Sequence, residues 1–66
     1  MPKKYRDVRK RLVAAGWIRV RRSGSHETWR NRDGQRTVTV AGKGSDTVPA
    51  GTLAAIRRAT GIDDLR

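Results

Sequence analysis

The stretch WIRVRRSGSHETWRNRDGQRTVTVA, residues 17–41, decides the fold of this chain. Apolar and polar residues alternate over Trp17–Arg22 and again over Arg36–Ala41, which is the pattern of half-buried strands. Residues 26–31 lie between a Ser-Gly-Ser and an Asp-Gly turn signal, so they are predicted to form a middle strand. The stretch therefore predicts three antiparallel strands.

One helix is predicted before these strands in the sequence and one after them. The first is amphipathic and ends at Gly16, and the second spans roughly residues 50–60, between Pro49 and Gly61. The tail after Gly61 is expected to contribute Ile62 to the helix end and otherwise to fray at Asp63, Asp64 and Arg66. The apolar positions at helical spacing are Tyr5, Val8, Leu12 and Ala15 in the first helix and Leu53, Ile56 and Ala59 in the second.

This order predicts an α+β fold, α-β-β-β-α, with a three-stranded antiparallel sheet, two helices on one face and the other face open to water. A register shift at Gly24 or a bulge would move His26 to the other face. Strict alternation predicts Ile18, Val20, Trp29, Val38 and Val40 in the core, and Arg19, Arg21, His26, Thr28, Arg30, Thr37 and Thr39 on the open face.

The chain is strongly basic: 16 Lys and Arg residues against 6 Asp and Glu give a formal net charge of +10 over 66 residues. Such a charge density favours a polyanionic partner. Most of the basic residues are arginines, whose planar guanidinium binds phosphate bidentately, and this favours nucleic acid. A merely solvated basic surface and an acidic protein partner are the alternatives.

Length and composition limit the other classes. The chain is short enough to predict a single domain over residues 1–66, without room for a cofactor cavity. Because there is no cysteine, a disulfide framework and thiolate metal sites are excluded. No apolar run approaches the length of a bilayer span, so we expect a soluble cytoplasmic protein with no membrane partner.

Gly24-Ser25-His26 holds the only histidine of the chain, surrounded by arginines. An imidazole in a region that attracts phosphate suits general acid or base catalysis on RNA. A surface turn histidine without a role is the simpler interpretation, and Gly24 and Ser25 are also ordinary hairpin residues.

One histidine with scattered carboxylates does not predict a metal site. Residues 42–45, Gly-Lys-Gly-Ser, lack the Walker spacing and are predicted to be a flexible connector.

Several short motifs of the chain, taken together, resemble the HicA toxin family. HicA-like proteins are small ribonucleases of bacterial toxin–antitoxin systems, with a fold like that of double-stranded-RNA-binding domains, and a cognate HicB antitoxin neutralises them. The resemblance covers nearly the whole chain. It lies in Asp7–Leu12, Gly16-Trp17, Arg22-Ser23-Gly24-Ser25-His26, Val38-Thr39-Val40, and Gly51-Thr52-Leu53 with Ile56.

The resemblance implies that His26 is the catalytic residue and that Gly24 and Ser25 position it. Many HicA-like proteins continue this motif with a second histidine or an aromatic pair, whereas Glu27 and Thr28 follow here. The second acid–base group is therefore left open.

The resulting hypothesis is a metal-independent mRNA interferase toxin that needs no cofactor and has mRNA and a HicB-type antitoxin as partners. A non-catalytic double-stranded-RNA-binding module, in which His26 is dispensable, is the main alternative. A protein-interaction domain without RNA affinity is the third. RNA phosphates are expected to contact Arg19, Arg21, Arg22, Arg30 and Lys43.

Overall fold

In the computed structural model, which describes residues 3–66, two helices enclose three strands in sequence. The predicted α-β-β-β-α order is confirmed. The strands form one antiparallel sheet in the order β1-β2-β3. The elements are α1 (Tyr5–Ala14), β1 (Ile18–Ser23), β2 (His26–Arg30), β3 (Thr37–Ala41) and α2 (Ala50–Thr60).

Local signals in the sequence explain where the helices begin and end. Ahead of α1, the backbone N–H of Lys4 donates to the Asp7 carboxylate at 3.1 Å, and Pro49 precedes α2. Gly16 and Gly61 follow the two helices with φ of 89° and 73°, in the left-handed region that favours glycine. These glycines let the chain leave each helix and return over the core.

A single apolar core lies between the helices and one face of the sheet. Trp29, Val38 and Val40 are its sheet residues, and they share one face because successive strand residues point to opposite faces. Both helices therefore cover the same face, as predicted. Trp17, just before β1, is also buried. The remaining core residues are Tyr5, Val8, Leu12, Val48, Leu53, Ile56, Ile62 and Leu65.

The β1 strand departs from strict alternation because it contains a β-bulge. Arg19 lies opposite Trp29 and Arg21 lies opposite Thr28, so Val20 is an extra residue on β1. Directly opposed residues share a face. Arg19 therefore lies on the helix-covered face with Trp29, whereas Arg21 lies on the open face with Thr28.

Three predicted side-chain positions in β1 are consequently wrong. Ile18 and Val20 are 59% and 45% exposed instead of buried. Arg19 lies on the helix-covered face instead of the open face, although its side chain remains 48% exposed. The physical reason is a buried carboxylate: Nη1 of Arg19 donates to Glu27 at 3.0 Å. A charge on the covered face needs a partner of opposite charge. Ile18 is exposed because it lies opposite Arg30, on the open face.

The predicted fraying of the C-terminal residues is also wrong. Leu65 is fully buried and Ile62 is buried with it. Arg57 donates to the carbonyl of Leu65 at 3.1 Å, and Arg11 forms an ion pair with Asp64 at 3.0 Å. The tail is held because Leu65 adds apolar area to a small core. Within residues 3–66, no helix has the length and apolar character to cross a membrane.

Candidate functional site

His26 is the first residue of β2, the central strand, and it lies on the open face of the sheet. Its cross-strand neighbours are Ser23 in β1 and Ala41 in β3. Both neighbours are small, and His26 is exposed. The structure thus places the imidazole in solvent, flanked by side chains too short to cover it.

The arginines grouped by the sequence are separated by the structure. Arg21 lies diagonally across from His26, where Cα atoms are about 7–8 Å apart. Arg30 shares the open face but lies four residues along β2, at about 13 Å. Arg21 is therefore the cation of the open face nearest to His26, and Arg30 marks the far end of that face.

Arg22 and Lys43 lie at the same end of the sheet as His26 but around the hairpin turn. Arg22 is opposite the buried Glu27, so it points to the covered side, and its Nε donates to the carbonyl of Gly24 at 3.3 Å. Both cations line an open pocket there. The other lining residues are Arg9, Gly24, Ser25, Glu27, Gly42 and Gly44.

Gly24 has a conformational reason to be in this turn. Its φ is 61°, in the region that L side chains rarely adopt. A Cβ atom at Gly24 would meet no other atom within 4 Å. The backbone conformation of the turn, not close packing, therefore requires glycine immediately before Ser25 and His26.

Glu27 is the buried charge of the site. Its carboxylate accepts hydrogen bonds from Nε of Arg9 at 2.7 Å, Nη1 of Arg19 at 3.0 Å and Nε1 of Trp29 at 3.3 Å. Burial raises the pKa of this carboxyl. The hydrogen bonds from Arg9, Arg19 and Trp29 and the charge of Arg9 lower the pKa by more than burial raises it, so the pKa lies below its usual value. Glu27 is an ionised structural group on the face opposite the imidazole.

Arg9 connects α1 to the residues around His26. Besides Glu27, its guanidinium donates through Nη2 to the carbonyl of Gly42 at 2.6 Å and, in a longer contact, to that of Ser25 at 3.5 Å. The guanidinium carbon lies 5.8 Å from the centroid of the Tyr5 ring. One side chain thus joins the helix, the hairpin turn and the end of β3.

Sequence reasoning missed both Glu27 and Arg9 as residues of the site. A signal was present, because alternation places Glu27 on the face of Trp29, and an acid on a core face requires a cationic partner. Which cation supplies it depends on how α1 packs on the sheet, so the pairing with Arg9 could not be read from the sequence.

The Gly-Lys-Gly-Ser segment is a connector, as predicted, but it is held in place. The carbonyls of Gly44 and Asp46 accept the N–H groups of Arg6 at 3.1 Å and Tyr5 at 3.0 Å. Carbonyl oxygens therefore occupy the N-terminus of α1, where an anion would otherwise bind. In the described part of the chain, no group of three or more His, Cys, Asp or Glu side chains is arranged to hold a metal ion.

The fold and the site define a class: a small basic α-β-β-β-α protein with an exposed histidine at the start of its central strand. The family model described as the HicA toxin of bacterial toxin–antitoxin systems matches residues 5–62, from the start of α1 to just beyond α2. The chain therefore belongs to the HicA toxin family. Membership implies a cognate antitoxin as partner. Searches of curated proteins and of solved structures found no significant match.

Proposed function

We propose that this toxin is a metal-independent endoribonuclease that cleaves mRNA, with His26 as its general acid or base. The observation that carries the proposal is the exposed imidazole on the open face, with Arg21 diagonally across on β1. The net charge of +10 supports a phosphate-bearing substrate. Membership in a family of toxins supports a target whose loss stops growth, and mRNA is such a target.

The chemistry needs only groups that this face offers. The 2′-hydroxyl attacks the adjacent phosphorus and loses its proton, the bond from phosphorus to O5′ breaks, and O5′ gains a proton. The products are a 2′,3′-cyclic phosphate and a 5′-hydroxyl. His26 performs one of the two proton transfers, which contributes about 10²- to 10⁴-fold to the rate. Arg21 stabilises the charge that develops on the phosphorane oxygens.

The remaining cations suggest where the RNA backbone runs. Arg30 extends the basic surface along the open face, and Arg22 with Lys43 continues it around the turn into the pocket on the covered side. Arg19 is bound to Glu27, so its role becomes neutralising that carboxylate rather than contacting phosphate.

Cleavage of a defined transcript in the presence of EDTA tests the proposal. The parent protein should release fragments with cyclic phosphate ends, and His26→Ala should release none while keeping its fold. Gln35→Ala, an exposed change in the turn between β2 and β3, is the control and should cleave like the parent. Cleavage by His26→Ala at the parental rate would show that the proposal is wrong.

The same experiment separates the two other classes of function. Binding and protection of RNA by the parent, without cleavage, would indicate a non-catalytic RNA-binding module. An absence of RNA affinity at moderate salt would indicate a domain that acts through protein contacts alone.

A further inference from the structure

Arg9 holds both residues that flank His26 in the chain. Its Nε is bound to the carboxylate of Glu27 at 2.7 Å, and its Nη2 reaches the carbonyl of Ser25 at 3.5 Å. The same Nη2 is 2.6 Å from the carbonyl of Gly42, next to Ala41 on the strand across from His26. Three anchoring points therefore surround the backbone of His26.

These contacts come from the covered side of the sheet, whereas the imidazole leaves from the open side. His26 is the first residue of its strand and follows a turn containing Gly24. Within the sheet, its backbone is restrained only by pairing with Ser23 and Ala41. The last ladder bond is long: the N–H of Gly42 donates to the carbonyl of Ser25 at 3.3 Å. The end of a ladder opens more readily than its middle. Arg9 binds across this weak point.

The pair formed by Arg9 and Glu27 is well suited to rigid positioning. The Arg9 side chain is 20% exposed and that of Glu27 is 8% exposed, so solvent screens their attraction less than it does on the surface. The guanidinium is planar, and its N–H groups have fixed directions that serve the carboxylate and the carbonyl of Gly42 together. A lysine ammonium would keep the charge but lose that fork.

We propose that Arg9 is a positioning residue for His26, which it orients by holding Ser25, Glu27 and Gly42 from the covered face. This inference rests on the proposed function, since it concerns the aim of the imidazole at the scissile phosphate. Arg9 also lines the pocket of Arg22 and Lys43, but its guanidinium is bound to Glu27 and to the carbonyl of Gly42, so its role is to hold these groups rather than to contact the RNA.

The variant Arg9→Lys tests this role, with Arg11→Lys as the matched control. Both arginines lie in α1 and both pair with a carboxylate, but the partner of Arg11 is Asp64, on the C-terminal tail. Arg9→Lys should lower kcat by about 10- to 100-fold, the cost of misplacing a catalytic group by a fraction of an ångström to one ångström. KM should stay within about twofold of the parent value, since Arg21, Arg22 and Lys43 are unchanged. Arg11→Lys should change neither.

Amide hydrogen exchange gives a readout that needs no cleavage. In Arg9→Lys the Gly42 amide should exchange faster. The contact of residue 9 with the Gly42 carbonyl is weakened, and the neighbouring hydrogen bond from the Gly42 N–H to the Ser25 carbonyl should then open more readily. The Asn31 amide, bound to Arg36 at the other end of β2, should exchange as in the parent. A second variant, Glu27→Asp, shortens the side chain by one methylene group and so weakens the same contact with Arg9 from the Glu27 side. The same effects on kcat and on exchange are expected.

Two results would overturn the positioning role. One is a folded Arg9→Lys or Glu27→Asp protein with parental kcat, and the other is a fall in kcat without faster exchange at Gly42. Failure of the proposed function looks different, since His26→Ala would then cleave at the parental rate or the parent would not cleave at all. The exchange measurement distinguishes the two cases.

Discussion

The two faces of β2 carry side chains with different roles, although the strand has only five residues. Glu27 and Trp29 point to the helices and are buried, and they build the ion pairs and the core. His26 and Arg30 point the other way and are exposed, with the proposed chemistry around them. The period-two geometry of a strand keeps these sets of side chains apart. Stability should therefore respond mainly to substitutions on the covered face, whereas substitutions on the open face should change activity with little effect on stability.

The largest expected effect is on the covered face, at Trp29. Replacing Trp29 by alanine removes a large buried ring and should cost about 3–5 kcal/mol. A chain of 66 residues rarely has more than about 3–5 kcal/mol of stability in total. Trp29→Ala should therefore lose its cooperative transition in urea, as followed by circular dichroism.

His26→Ala provides the comparison from the open face. Because the imidazole is exposed, this change should alter the free energy of unfolding by less than about 0.5 kcal/mol. A cooperative Trp29→Ala protein, or a strongly destabilised His26→Ala protein, would contradict the division between the two faces.

A smaller effect is expected at Glu27, where the covered face holds a charge. Glu27→Gln keeps the shape of the side chain but removes the counter-charge of Arg9 and Arg19. Hydrogen bonds to charged groups contribute more than neutral ones, so the loss should be about 2–3 kcal/mol at neutral pH. Urea denaturation of the parent and the variant at several pH values measures it.

The pH dependence of that loss has a definite sign. The pKa of Glu27 is lowered in the folded protein, so its contribution is fully present above the usual glutamate pKa of about 4.3. It disappears as the pH falls through the lower folded pKa. The stability difference between parent and Glu27→Gln should therefore shrink on acidification. A difference that stays constant to about pH 3 would show that the carboxylate charge is not what stabilises the fold.

The architecture was largely predictable because its signals are local. Helical spacing in α1, alternation in β3 and glycines after both helices each depend on neighbouring residues in the chain. Gly24-Ser25-His26 was similarly evident, since a turn motif fixes the start of β2 and hence the face of His26.

What sequence reasoning missed depends on contacts between distant elements. The bulge at Val20 turns Arg19 toward Glu27, so the apolar alternation of β1 was misleading. Arg9 binds Glu27, which lies 18 residues further along the chain. Leu65 is buried in the core formed with the preceding helices. In each case the tertiary partner, rather than the local pattern, decides where the side chain goes.

The smallest effects on stability are expected for the arginines of the open face. Arg21→Gln and Arg30→Gln should each change the free energy of unfolding by less than about 0.5 kcal/mol, because both side chains are at the surface. Their effect should appear in RNA binding. Each lost contact should reduce the slope of log affinity against log salt by about 0.7 on single-stranded RNA.

Cleavage should then distinguish these two arginines, although they share a face. Arg21 lies diagonally across from His26 and Arg30 four residues along β2, so only Arg21→Gln should lower kcat as well as affinity. Measuring salt slopes with His26→Ala as the background keeps the RNA intact during titration. An unchanged slope in either variant would remove that arginine from the RNA contacts, and equal kcat values for both would show that distance from His26 along the open face does not govern catalysis.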